Sequence, residues 1–86
     1  MSGPTIHQCI RRLLDERLAA MGLAPGDVGD SMSLTQSGVL DSFALMELLA
    51  RIEGELGVQL DLDALSVEEF TTVRGLARAF EKAGAS

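Results

Sequence analysis

The stretch that most limits what this chain can fold into runs from Asp41 to Gly57. Between those two residues Leu45, Leu48, Leu49, Ile52 and Leu56 recur at helical spacing, about 100° per residue, and line a single stripe. Strict alternation, the mark of a half-buried strand, is absent. Asp41 is placed to cap the helix, because a carboxylate accepts from the free amides of a first turn and suits its positive end. Gly57 is placed to end it in the left-handed conformation that other residues resist. Leu40 before the cap and Leu45 inside the helix can close a hydrophobic staple. Ser42 then holds the first helical position, about 60° from the centre of the stripe on a 100° wheel, where its hydroxyl is not needed as a cap. A hydroxyl at that rim can face solvent and be reached by another protein.

The chain of 86 residues allows one domain, 1–86, with an ordered core at about 5–82. With three Phe and no Trp or Tyr, the core must be built from aliphatic side chains, which suits packed helices. A formal charge of −6 argues against nucleic acid, whose phosphates need Lys and Arg, and favours partners with basic docking surfaces. The same charge also serves solubility alone. Cys9 is the only cysteine, so no intramolecular disulfide can form, and an intracellular home is expected. No apolar run approaches the roughly 20 residues of a membrane span, and the first five residues lack the basic and apolar regions of a signal peptide. The expectation is a complete, freestanding, cytoplasmic and monomeric protein with no membrane partner.

Read in order, residues 1–4 are expected to fray. Thr5 and Gln8 form a capping box, and Ile6, Cys9, Ile10, Leu13, Leu14, Leu18 and Met21 give helix one an apolar face. Gly22 follows as its terminator, with Leu23 packing back. Residues 24–40 are a long loop rich in Gly and Ser, with Met32, Leu34, Val39 and Leu40 as its anchors to the core. Helix two spans Ser42 to Leu56. Residues 58–62 alternate over too short a run for a strand and are expected as an extended connection. Ser66 and Glu69 make a second capping box for a helix of one or two turns, with Leu65 able to staple to Phe70. Thr72 can cap a last helix that buries Val73, Leu76, Ala77 and Phe80, and Ala83 to Ser86 should fray. Gly75 weakens that helix by about 1 kcal/mol against Ala, which marks a point of close packing.

Catalytic readings are weak. A Ser-His-Asp relay would need His7, the only histidine, while adjacent Asp41 and Ser42 cannot flank it and no Gly-x-Ser-x-Gly elbow exists. His7 and Cys9 diverge on a helix, so they do not make a metal pair. Asp61 and Asp63 resemble the start of a calcium loop, but glycine is missing at its sixth position and Thr72 stands where glutamate belongs. No metal is expected. On helix two Phe43, Met46 and Ala50 form a narrower apolar strip at about 100–160° from the buried centre, with Glu47 just beyond. The strip is either covered by the long loop and third helix or is a docking surface, and docking is the expectation.

Gly38-Val39-Leu40-Asp41-Ser42 at the head of an apolar helix resembles the modification site of acyl carrier proteins. The likeness continues through Glu47-Leu48-Leu49, through Glu53 with Leu56-Gly57-Val58, and into Glu69-Phe70-Thr71-Thr72-Val73, so it covers roughly residues 5–82. In that family the serine carries a 4′-phosphopantetheine arm, which the resemblance assigns to Ser42, with Asp41 as cap and motif neighbour. It implies an all-α, four-helix bundle of three main helices, a short third helix and a long loop between helices one and two. It also implies a carrier and not an enzyme. The cargo would be an acyl or aminoacyl group, held as a thioester on an arm that a phosphopantetheinyl transferase adds from coenzyme A. The cargo would then pass from an acyl- or aminoacyl-loading ligase to a downstream synthase or transferase. The family's partners recognise the helix that matches helix two, which fits a docking role for Phe43, Met46, Glu47 and Ala50.

Two departures bear on the cargo. Phe43 stands where carriers of fatty-acid synthesis usually have Leu, and Arg51 interrupts the acidic face of helix two. Gly-x-Leu-Asp-Ser also looks like the discrete carriers of amino acids, such as D-alanyl carriers. Peptidyl carriers of large assembly lines differ, since their serine usually follows a His. Fatty acyl, polyketide and amino acid cargo all stay open. The alternative from another class is an unmodified helical adaptor that uses the Phe43–Met46–Ala50 strip alone.

Overall fold

A computed structural model describes residues 3–85, with the side chains of 3, 4, 25, 62 and 85 left aside. Four helices follow one another: α1 (Gly3–Ala20), α2 (Ser42–Leu56), α3 (Val67–Phe70) and α4 (Val73–Ala85). Two 3₁₀ turns, Pro25–Asp27 and Leu62–Ala64, lie in the connections. No strand occurs among the described residues. This is the all-α, acyl-carrier-like bundle with a short third helix and a long first loop.

Packing runs through α1, which lies against both α2 and α4, while α3 sits on α4. The core is aliphatic apart from Phe80 and joins Ile6, Ile10, Leu13, Leu14 and Leu18 of α1 to Leu45, Leu48, Leu49 and Ile52 of α2 and Val73 and Leu76 of α4. Leu56, at the end of the α2 stripe, is half-buried against that core. Fully burying each such side chain stabilises the fold by about 1.5–3 kcal/mol. Among the described residues, ion pairs link α1 to α2 through Arg12 with Glu55 at 3.2 Å, Glu16 with Arg51 at 3.0 Å and Arg17 with Glu47 at 3.5 Å. Hydrogen bonding to Cys9 first, and then to Glu55, raises the pKa of Arg12, which stays cationic.

Helix α1 starts at Gly3, ahead of the expected Thr5 cap. Pro4 explains the difference, since proline has no N–H to leave unpaired in a first turn. Of the expected frayed tail, Met1 and Ser2 lie outside the described residues. At the other end the Gly22 N–H donates to Ala19 at 3.1 Å and the Leu23 N–H to Leu18 at 2.8 Å, with Gly22 at φ 80°. This is a Schellman turn, and it carries Leu23 back over the last turn of α1. Met21 is thereby excluded from the apolar face and is 48% exposed.

The long loop is anchored differently from its apolar pattern. Leu34 and Leu40 are buried and Val39 packs against the core as expected, but Met32 is 38% exposed and Val28 takes an interior place instead. The turn at Pro25–Asp27 causes this. There the Asp27 carboxylate accepts from the Ala24 amide at 2.9 Å, and the Arg11 guanidinium then holds the Val28 carbonyl at 2.8 Å. Backbone bonds from Leu34 to Thr71 (2.8 Å) and from Arg74 to Asp30 (3.0 Å) fasten the loop to the α3–α4 junction.

The second capping site is built as expected, with the Glu69 carboxylate accepting from the Ser66 amide at 3.2 Å. The Thr72 hydroxyl accepts from the Gly75 amide at 3.0 Å and caps α4. A Cβ on Gly75 would fall against the Glu69 carbonyl and 2.9 Å from the Thr72 hydroxyl oxygen, so glycine is required there by close approach. Ala79 is buried where Ala77 was expected, and Ala77 is half-buried. The expected fraying from Ala83 is not seen up to Ala85, since α4 continues through this alanine-rich end. Ser86 lies outside the described residues.

Candidate functional site

Helix α2 spans Ser42–Leu56 between the expected cap and terminator. Asp41 is extended at φ −85° and ψ 177°, and its carboxylate accepts from the Ala44 amide at 2.7 Å. Gly57 closes the helix at φ 67°, its amide donating to the Glu53 carbonyl at 2.8 Å. Leu40 and Leu45, the expected staple, are both buried in the same core. Together these fix where the helix starts and in which direction it leaves the loop.

Ser42 is exposed at the first helical position. Neither its hydroxyl nor its amide has a hydrogen-bond partner among the described residues, and the Phe43 amide has none either. Asp41 does the capping, so the neighbouring hydroxyl is left unengaged. Two unpaired amides at a helix start form a place where a phosphate group can be held, because N–H groups and helix dipole both favour negative charge. The residues around Ser42 therefore suit a phosphate ester on its oxygen.

The apolar strip lies open beside this oxygen. Phe43 is 73% and Met46 44% exposed, and Ala50 is exposed as well, so neither the long loop nor α3 covers them. Glu47 is drawn to Arg17 of α1, which makes its carboxylate part of the α1–α2 seam as well as of the outer face. On the other flank a shallow cleft brings Arg17 and Ala20 of α1, and Met21 just beyond its end, alongside Val39, Asp41 and Ala44. The apolar pattern assigned Met21 to the core, so its place in this cleft was missed. The exposed end of an otherwise buried face was the available signal.

The remaining candidates disperse. His7 bonds Asp30 at 2.7 Å through Nε2 and so serves the loop and not Ser42. Cys9 is half-buried against the core. No group of metal-binding side chains occurs among the described residues, Asp61 and Asp63 included. No described helix is long and apolar enough to cross a membrane.

The bundle thus presents, at the capped start of α2, an exposed serine with no hydrogen-bond partner among the described residues. The chain belongs to the phosphopantetheine attachment site family, whose match covers residues 5–80. Members of that family carry a covalently attached 4′-phosphopantetheine group and work with a phosphopantetheinyl transferase and biosynthetic enzymes. Comparison with curated proteins and with solved structures returned no match.

Proposed function

We propose that Ser42 receives the 4′-phosphopantetheine arm and that the chain carries an acyl or aminoacyl group on it. The observation that carries this reading is the Ser42 hydroxyl, exposed and unpartnered at the head of α2 while Asp41 takes the Ala44 amide. The arm, when attached, supplies a terminal thiol on which cargo is held as a thioester. In attachment the Ser42 oxygen bonds to the phosphorus of coenzyme A that bears pantetheine. The bond to the nucleotide's phosphate breaks, and the hydroxyl proton passes to a base of the transferase. The Ser42 and Phe43 amides are placed to steady the phosphate that results.

The chain's own contribution is positioning, with no catalytic group of its own. Residues 1–86 act as a single carrier domain, monomeric and cytoplasmic. Phe43, Met46 and Ala50, with Glu47 beside them, give each enzyme a grip next to the root of the arm. A loading ligase places the cargo, and a downstream synthase or transferase removes it. Tethering keeps the cargo at high effective concentration near each site.

The test is a two-stage loading. The protein is first treated with coenzyme A and a phosphopantetheinyl transferase, then with a ligase, ATP and a panel of carboxylic and amino acids. The expected result is a second mass increase, reversed by hydroxylamine and absent from Ser42→Ala. A protein that takes up neither arm nor cargo yet binds partners through Phe43 and Met46 would be an adaptor instead.

A further inference from the structure

Charge is divided unevenly in this molecule. Helix α4 carries three cations and one carboxylate, Glu81, whereas the rest of the chain has four cations and twelve carboxylates. Those four, Arg11, Arg12, Arg17 and Arg51, are all held in ion pairs. The three of α4 are Arg74, Arg78 and Lys82. All are exposed, and none has an ion-pair partner among the described residues. They stand four residues apart, so they form a row with a rise of about 6 Å per step on the side of α4 away from Leu76 and Phe80. The row borders an open groove whose other wall brings Ser31, Ser33 and Gln36 of the long loop.

We propose that this face of α4 docks an acidic helix of a protein partner. Glutamates at every fourth position of such a helix repeat at the same interval of about 6 Å, so each can meet one cation of the row. The hydroxyl and amide side chains of the loop wall add lateral hydrogen bonds. A continuous polyanion fits less well. Glu68 and Glu69 also line the groove, and the whole chain carries −6, so nucleic acid or an anionic bilayer meets repulsion beyond the row itself. A helix with discrete carboxylates concentrates its charge on the row, whereas a polyanion spreads it along the whole groove. No residue of α2 lines the groove, so a partner held there leaves Ser42 and the Phe43–Met46 strip open to a second enzyme. The proposal rests on α4 and stands whether or not Ser42 is modified.

The full-length protein is titrated with a labelled synthetic helical peptide bearing glutamate at every fourth position, and with a shuffled peptide of identical composition. Anisotropy gives the affinities, and amide shifts give the contact surface. The ordered peptide should bind saturably and shift residues 31–36 and 74–82 but not 42–50. Arg74→Glu with Arg78→Glu should weaken binding tenfold or more, about 1.4 kcal/mol, without lowering the melting temperature. Arg78→Gln should move it in the same direction by less. Equal binding of the shuffled peptide, no binding, or shifts confined to α2 would overturn the proposal. So would α4 shifts on vesicles of anionic lipid that the peptide cannot compete away, which would assign the row to a membrane.

Discussion

The Asp41 carboxylate accepts from the Ala44 amide at 2.7 Å, and that bond divides two roles between adjacent side chains. Asp41 holds the helix start, while Ser42 between them keeps an unengaged hydroxyl. Asp41→Ala should therefore cost on the order of 1 kcal/mol of stability, and Ser42→Ala less than about 0.5 kcal/mol. Urea melts of both variants check this. Equal losses would mean that Ser42 shares the capping.

Gly75 meets the α3 end more closely than any side chain allows, since an added Cβ would press on the Glu69 carbonyl and on Thr72. Alanine would improve helix propensity by about 1 kcal/mol, but overpacking against backbone costs about 1–3 kcal/mol. Gly75→Ala should therefore be destabilising, by about 1–2 kcal/mol, in thermal or urea unfolding. A clear gain in stability would show that α3 yields there easily.

Phe43 and Met46 are exposed while Leu45, Leu48 and Ile52 on the same helix are buried, so packing does not account for the outer pair. Burying either at an interface could contribute about 1.5–3 kcal/mol. Met46→Glu should leave the melting curve nearly unchanged and slow modification or loading of Ser42 about tenfold, which corresponds to about 1.4 kcal/mol. Added salt should slow the wild type as well, because it screens the attraction of an acidic carrier to a basic partner. Unfolding of Met46→Glu, or an unchanged rate, would remove this strip from the account.

Helix α2 was legible in the sequence because both of its ends are written locally, Asp41 three residues before the amide it takes and Gly57 at a positive φ. The Thr72 cap and the tight packing at Gly75 were legible for the same reason. Val28 was not. Its inward turn depends on Arg11, seventeen residues away, gripping its carbonyl, a contact no local pattern encodes. Met21 and Met32 were misread because helical spacing and apolarity mark candidates for burial, while the Schellman turn and the loop's ties to Thr71 and Arg74 decide which are used. Thr5 competed with Pro4 as a helix start, and proline began the helix earlier. At the candidate site the Asp41 cap and the uncommitted Ser42 hydroxyl were both legible, and only the amide that Asp41 takes, Ala44, had to be read from the fold.

The central claim is that Ser42 is the one residue that receives the arm. Wild type and Ser42→Ala, each incubated with coenzyme A and a phosphopantetheinyl transferase, are compared by intact mass and then by peptide mapping. The account predicts a single phosphopantetheine adduct on the wild type, mapped to Ser42, and none on the equally folded variant. An adduct on Ser42→Ala, or a wild type that stays unmodified under conditions that convert a known carrier, would contradict it.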